Sequence, residues 1–270
     1  MMKIGNKIFD IEHHTYIMGI LNVTPDSFSD GGKWNTKDAA LRHAEEMIEE
    51  GADLIDIGGE STRPGYTLLP EEEEIERVVP MIEMIKKNFD IPVSVDTYKS
   101  AVAEEAVKAG ADLVNDIWGL KYDEKIAHVI AQSNVACCLM HNRKEAIYET
   151  FIEDMLNDLR ETVAIAKKAG IADDKIILDP GVGFGKTYAH NLEVVHHLER
   201  MHELSYPVLL GTSRKSMIGI ALDLPAAQRV EGTLVTTVFG VQKGAAFVRV
   251  HEIKENKRAI QMTEAILGRR

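Results

Sequence analysis

The chain has 270 residues, 45% of them hydrophobic and 27% charged, a balance that excludes a disordered tail or a fibre. Acidic side chains outnumber basic ones by 43 to 31, so the net charge of -12 repels nucleic acid and anionic membranes, and any anionic ligand must be captured locally. The only cysteines, Cys137 and Cys138, are adjacent in an apolar run, where strand neighbours point to opposite faces; this excludes a disulfide scaffold and a cysteine metal site. No stretch reaches 18 consecutive apolar residues, and Met1 to His13 lacks a basic-then-apolar leader, so a reduced, soluble, cytoplasmic protein is expected.

In chain order, residues 1–14 carry Gly5-Asn6 between alternating residues and predict a short hairpin that plugs the bottom of the fold. Eight short runs rich in Val, Ile and Leu come next, at 16–22, 53–58, 92–96, 113–117, 135–141, 176–179, 207–211 and 247–251; each of the first seven is followed by a segment of helical period. Thr36 ahead of Lys37 to Glu50 reads as a helix cap and Gly51 as its stop, with Gly110 and Gly170 ending the third and fifth helices in the same way. Pro70 and Glu71 to Glu74 mark another helix start, whose acids suit the macrodipole and read as a solvated first turn. Runs apolar on both faces and joined by helices demand a parallel sheet covered on both sides. Eight such units close into a single-domain (β/α)8 barrel over residues 15–270, with an open doubly wound sheet as the alternative. Pro180 to Thr187 ends like a phosphate-binding loop, but proline stands where that pattern needs glycine; a nucleotide triphosphatase is rejected, and the glycines let backbone approach a flat ligand beside Asp179, with Phe184 as a wall. The seventh helical segment carries Gly232, Thr236 and Gly240 four apart, a stripe suited first to packing on its own barrel.

In such a barrel the catalytic groups stand at the carboxyl ends of the strands. Those positions hold Asn22, then Ser61, Thr62 and Arg63, then Asp96, Asn115, Met140 with His141, Asp179, Ser213 with Lys215 and Ser216, and finally Arg249 with His251. The cationic Arg63, Lys215, Arg249 and His251 come from strands that neighbour one another around a closed barrel and predict a phosphate or pyrophosphate site; a plainer reading pairs them with Asp56 or Glu60. The trio Asp96, Asn115 and Asp179 suits a heterocycle with an amino group beside a ring nitrogen donor, the edge shared by guanine and pterin, unless the acids cap neighbouring helices. The connections 22–32 and 58–65 mix oxygens, hydroxyls and glycines, and together suggest a lid over an anion.

The stretches MGILNVTPDSFSDGG at 18–32 and GADLIDIGGESTRPG at 51–65 resemble the two signatures of the dihydropteroate synthases, and the likeness continues through Ser94 to Thr97, Asn115-Asp116, Asp179 to Phe184, Gly211 to Ser216 and Arg249 to His251. The resemblance implies a (β/α)8 barrel, usually homodimeric, that joins 6-hydroxymethyl-7,8-dihydropterin pyrophosphate to 4-aminobenzoate and releases pyrophosphate and 7,8-dihydropteroate for folate synthesis. By the same likeness Asp96, Asn115, Asp179 and Lys215 hold the pterin with Met140 nearby, and Asn22 ligates magnesium on the pyrophosphate with Asp26 as a helper. Thr62, Arg63, Arg249 and His251 hold the pyrophosphate, while Phe28, Thr62, Pro64, Phe184, Lys215 and Ser216 surround the aminobenzoate, where sulfonamides would compete. Trp118 and Gly185 depart from the family pattern without removing a functional group. The absence of an obvious Ser-His pair or reactive cysteine agrees with a dissociative reaction. The pterin domain of a corrinoid-dependent methyltransferase and a noncatalytic pterin-binding paralogue are the alternatives. The cluster Arg63, Lys215, Arg249 and His251 weighs against the first, and the retention of Asn22, Asp96, Arg63 and Lys215 against the second.

Overall fold

The computed structural model describes residues 1–23, 33–60 and 68–269, with only the backbone course given for residues 33–37. Strands β1 (Met2–Ile4) and β2 (Lys7–Phe9) form the expected antiparallel hairpin, with Met2 opposite Phe9 and Gly5 turning at a φ of +57° that its missing side chain permits. The eight apolar runs become parallel strands: β3 (Tyr16–Asn22), β4 (Leu54–Gly58), β5 (Val93–Asp96), β6 (Leu113–Asp116), β7 (Ala136–Met140), β8 (Ile176–Asp179), β9 (Leu209–Leu210) and β10 (Phe247–Val250). They hydrogen-bond in the order β8-β7-β6-β5-β4-β3-β10-β9, and a parallel bridge from Leu178 to Val208 joins the two ends. That closure establishes the barrel over the open sheet.

The helices are α1 (Lys33–Glu50), α2 (Glu71–Asn88), α3 (Ser100–Lys108), α4 (Ile126–Ser133), α5 (Phe151–Ala169), α6 (Tyr188–His196), α7 (Ser216–Leu222), α8 (Val230–Gln242) and α9 (Ile253–Ile266). Helix α1 starts ahead of the predicted cap at Thr36, because no proline or glycine between Lys33 and Thr36 halts it. The segment read as one seventh helix is two, α7 and α8. Asp223 turns left-handed at a φ of +54°, and Pro225 follows, so the first helix cannot continue. The small-residue stripe of α8 packs inward as expected: a side-chain carbon at Gly232 would strike Ile218 at 2.2 Å, and Thr236 hydrogen-bonds Thr212 at 2.7 Å.

Alternation along the strands sorts the interior. Ile17, Ile55, Val95, Val114 and Cys137 face outward into the layer beneath the helices, while Met18, Leu54, Leu113, Cys138, Ile177, Leu209 and Phe247 face inward and meet Met2, Ile4 and Phe9 of the hairpin. The two cysteines take opposite faces, both buried and unpaired. Phe247 anchors the plug: it is fully buried, and its ring lies 5.6 Å from that of Phe9 and 6.0 Å from that of Tyr16. Phe247→Ala opens a cavity on the barrel axis and is expected to lower the unfolding free energy by about 3–5 kcal/mol, read from the urea midpoint.

Candidate active site

Two residues above the plug, the inward positions turn polar on several strands, although β3 has Ile20 and β7 has Met140 there. On β10, Phe247 gives way to Arg249 and then His251; on β4, Leu54 gives way to Asp56; on β6, Leu113 gives way to Asn115. Arg249 donates from Nε to Asp56 Oδ2 at 2.6 Å and from Nη2 to Asp96 Oδ2 at 2.7 Å. Asn115 Nδ2 donates to the same Asp56 oxygen at 3.2 Å. Of the two readings available for Arg249, the ion pair with Asp56 is therefore realised, and it extends to Asp96. Burial pushes the Asp96 carboxyl up to about 7, against the pull of Arg249 and with the help of the Asp56 charge.

Across the barrel, Asp179 closes β8 and accepts a hydrogen bond from the Gly181 amide at 2.7 Å, while burial raises its carboxyl above the usual range. Lys215 caps α7, donates to the carbonyl of Val182 and sits 4.8 Å over the Phe184 ring. Burial lowers its ammonium to about 8, with Asp179 opposing the shift. A side-chain carbon at Gly211 would lie 3.6 Å from Asp179 Oδ2 and 3.9 Å from both Arg249 Cβ and Lys215 Nζ, so the three groups meet where this glycine leaves room. On the other side of the mouth, a carbon at Gly58 would lie 3.5 Å from Asn22 Oδ1 and 3.8 Å from Asp96 Oδ2, which brings Asn22 beside Asp96. Met140 packs with Tyr98 and Ile117, and with Trp118 and Phe184, into an apolar wall. His251 pairs through Nδ1 with Ser213 Oγ at 2.9 Å, and Ser216 opens α7 exposed to solvent.

Asn22, Asp96, Asn115, Met140, Asp179, Phe184, Lys215, Ser216, Arg249 and His251 thus all lie at one end of the barrel. Asp26, Phe28, Thr62, Arg63 and Pro64, and with them the suggested lid, lie outside the described residues.

Two buried clusters are not legible in the sequence. Lys186 Nζ stands 2.7 Å from His141 Nδ1, His141 Nε2 stands 3.0 Å from Asp158 Oδ2, and Arg143 Nε donates to that oxygen at 2.6 Å. Burial lowers Lys186 to about 7 and His141 to about 4. These contacts tie the 181–186 loop, the false phosphate loop, to the end of β7. The second cluster is built on Lys99, whose ammonium bridges Glu60 and Glu74 and also donates to the Leu69 carbonyl at 2.7 Å, while Tyr98 donates to Glu60 at 2.7 Å. Glu74 is therefore buried, not solvated as its place in the acid run predicts, because it lies one turn into α2 on the face turned to the barrel. Burial raises the Glu74 carboxyl; for Lys99, burial opposes the charge but is outweighed by hydrogen bonds to Glu60 and Glu74.

A sequence profile described as pterin binding enzyme matches residues 18–251. A dihydropteroate synthase from Clostridium beijerinckii is 63% identical over 269 residues, covering 99% of this chain and 100% of that protein, and one from Bacillus subtilis is 57% identical, covering 94% and 90%. Among solved structures, a dihydropteroate synthase from Clostridium difficile in the presence of pteroic acid superposes with a TM-score of 0.94 at 49% identity, covering 96% of this chain and 99% of that one. A Yersinia pestis dihydropteroate synthase with a sulfonamide drug complex gives 0.93 at 42% identity, covering 99% and 100%. Barrel and mouth together define a pterin-binding enzyme. Within that class, the chain belongs to the dihydropteroate synthase family.

Replacing Lys99 by methionine strands two carboxylates in the interior and is expected to lower the unfolding free energy by about 3–5 kcal/mol at neutral pH. Protonation relieves that repulsion, so the deficit relative to wild type shrinks as pH falls through the raised range of Glu74. Urea unfolding of both proteins at neutral and mildly acidic pH checks the sign.

Proposed function

We propose that the protein condenses 6-hydroxymethyl-7,8-dihydropterin pyrophosphate with 4-aminobenzoate to give 7,8-dihydropteroate and pyrophosphate. The observation that carries this reading is the meeting of Asp179, Lys215 and Arg249 at Gly211, beside the apolar wall of Met140, Ile117 and Phe184. Such a mouth offers acceptors for a ring with adjacent amino and N–H donors and a flat surface for its faces. Asp96, Asn115, Asp179 and Lys215 are the assigned pterin ligands, with Met140 beneath. Arg63, Thr62 and His251 are assigned to the pyrophosphate, to which Arg249 adds its remaining amino group. Phe28, Thr62, Pro64, Phe184, Lys215 and Ser216 are assigned to 4-aminobenzoate, and the sulfonamide complex of the Yersinia pestis relative supports competition at that subsite.

Magnesium suits this mouth as a companion of the pyrophosphate. Among the described residues no group of three or more His, Cys, Asp or Glu forms a metal cage. The Asn22 amide oxygen is one hard donor at the rim, and one or two protein oxygens completed by substrate phosphates is the usual way magnesium is held. Asn22 would hold it, and its charge would offset that of the departing pyrophosphate.

The chain's own residues account for a dissociative route. The C–O bond to pyrophosphate breaks first, and the positive charge developing on the pterin methylene carbon faces the buried carboxylates Asp96 and Asp179, where low dielectric strengthens their effect. The amine of 4-aminobenzoate then attacks that carbon and loses a proton. No enzyme nucleophile is called for: both cysteine thiols are buried and pushed well above their ordinary pKa.

Homodimerisation is supported by exposed apolar side chains on three neighbouring helices, Ile220 on α7, Val235 and Phe239 on α8, and Met262 and Ile266 on α9. A cytoplasmic location is supported by the unpaired cysteines, and no described helix is long and apolar enough to cross a membrane.

Mass spectrometry of the wild type with both substrates and magnesium is expected to show dihydropteroate, and Asp179→Asn or Lys215→Ala to lose about a hundredfold or more in kcat/KM, equal to about 2.7 kcal/mol of transition-state stabilisation. No product from folded protein that still binds pterin would shift the reading to a noncatalytic binder. Since burial raises the Asp96 carboxyl well above the usual carboxylate range, kcat/KM for the pterin substrate should fall as pH drops through that raised range, and Asp96→Asn should flatten this limb. Positional isotope exchange within the pyrophosphate substrate without 4-aminobenzoate tests the dissociative order; its absence would favour direct displacement. Light scattering at working concentration is expected to give twice the chain mass, and a monomer would dismiss the dimer.

A further inference from the structure

We propose that Asp56 is a positioning residue for the pterin pyrophosphate substrate, fixing through Asn115 the acceptor offered to the pterin ring and holding Arg249 beside it in place for the pyrophosphate. This rests on the functional reading above and assigns a role to a residue that reading leaves out. Asp56 stands in the middle of β4, completely buried, one layer below the mouth. A carboxylate there is costly, and an apolar side chain such as Leu54, two residues earlier on the same face, would fill the barrel at less expense. Stability alone does not account for it, since among the described residues its Oδ1 has no hydrogen-bond partner, and neither have Ser94 Oγ and Asp96 Oδ1 on the adjacent strand β5.

The geometry of Oδ2 points to orientation. It receives Arg249 Nε from β10 and Asn115 Nδ2 from β6, two strands that do not touch one another. An ionised carboxylate only accepts, so it holds the NH2 end of the Asn115 amide toward itself and leaves the carbonyl oxygen on the other side. That oxygen takes no hydrogen bond from any described residue. Without Asp56 the amide is free to turn over and offer a donor in its place, the wrong partner for a ring edge made of N–H groups. Arg249 is held by two carboxylates on different strands, Asp56 at Nε and Asp96 at Nη2, which sets both the plane and the position of the guanidinium. One buried oxygen thereby coordinates Asn115, assigned to the pterin, and Arg249, assigned to the pyrophosphate.

The test compares wild type with Asp56→Asn, an isosteric change that removes the charge and the acceptor-only character. Calorimetric titration with pteroic acid is expected to show about tenfold or greater loss of affinity. KM for the pterin substrate rises with it, while KM for 4-aminobenzoate stays within about twofold. In a cycle with Asn115→Ala, the two losses should be less than additive, because Asp56 acts through that amide. Unchanged pteroic acid affinity, or losses that simply add, would overturn the proposal and leave Asp56 a structural counter-ion. Wild type that binds no pteroic acid and makes no dihydropteroate would overturn the functional reading first, a result separate from equal binding by the two proteins. Should Asp56→Asn not fold, the Arg249 Nε–H resonance of wild type, assigned by its loss in Arg249→Lys, carries the test. Slow exchange and a shift on adding pteroic acid support the clamp; rapid exchange with no response overturns it.

Discussion

Alternate residues of eight parallel strands must share one closed interior, and the rest of the molecule depends on how that space is filled. The lower layers take Met18, Leu54, Leu113, Cys138, Ile177 and Phe247, sealed by the hairpin residues Met2, Ile4 and Phe9. With that end packed by apolar side chains, the polar inward groups stand at the other end. The step from Phe247 to Arg249 to His251 along β10 is this gradient on a single strand, one residue per layer.

Placing charge in that upper layer has electrostatic consequences. Asp56 and Asp96 share the guanidinium of Arg249, and Asp179 faces Lys215, so each cation answers a carboxylate before any ligand arrives. The strand geometry leaves the compensation incomplete: side chains fixed to neighbouring strands cannot all reach one another, and among the described residues one carboxylate oxygen each of Asp56 and Asp96 has no donor. A ligand carrying N–H groups satisfies such a site, and a developing cation is stabilised by it. The acidic balance of the whole chain, at -12, is no obstacle, because interactions inside a buried mouth are screened far less than the field at the surface.

The elements most legible in the sequence are those enforced locally. Strand runs stand out because a doubly covered parallel sheet makes both faces apolar, and the helix ends at Gly51, Gly110 and Gly170 because each adopts a positive φ that other residues resist. Less legible are the places where a neighbour decides. The acid run at 71–74 looks uniform, yet Glu74 turns inward to Lys99, twenty-five residues away in sequence. Arg249 groups with the other cations by charge, and of its two partners only Asp56 is among those the sequence offers; Asp96, three strands away, comes within reach through the curvature of the barrel. The contacts from Lys186 through His141 to Asp158 join a loop, a strand end and a helix for the same reason.

The order of residues alone was enough for the number of strands, their parallel arrangement and the hairpin at the base, and for the polar strand-end residues among those described, because period-two and helical patterns and glycine stops are short-range constraints. Which of those polar groups pair, which carboxylates are raised by burial and which oxygens stay open is settled only when the barrel closes. Those outcomes depend on distances across the barrel, between residues such as Asp56 and Arg249 that are separated by most of the chain.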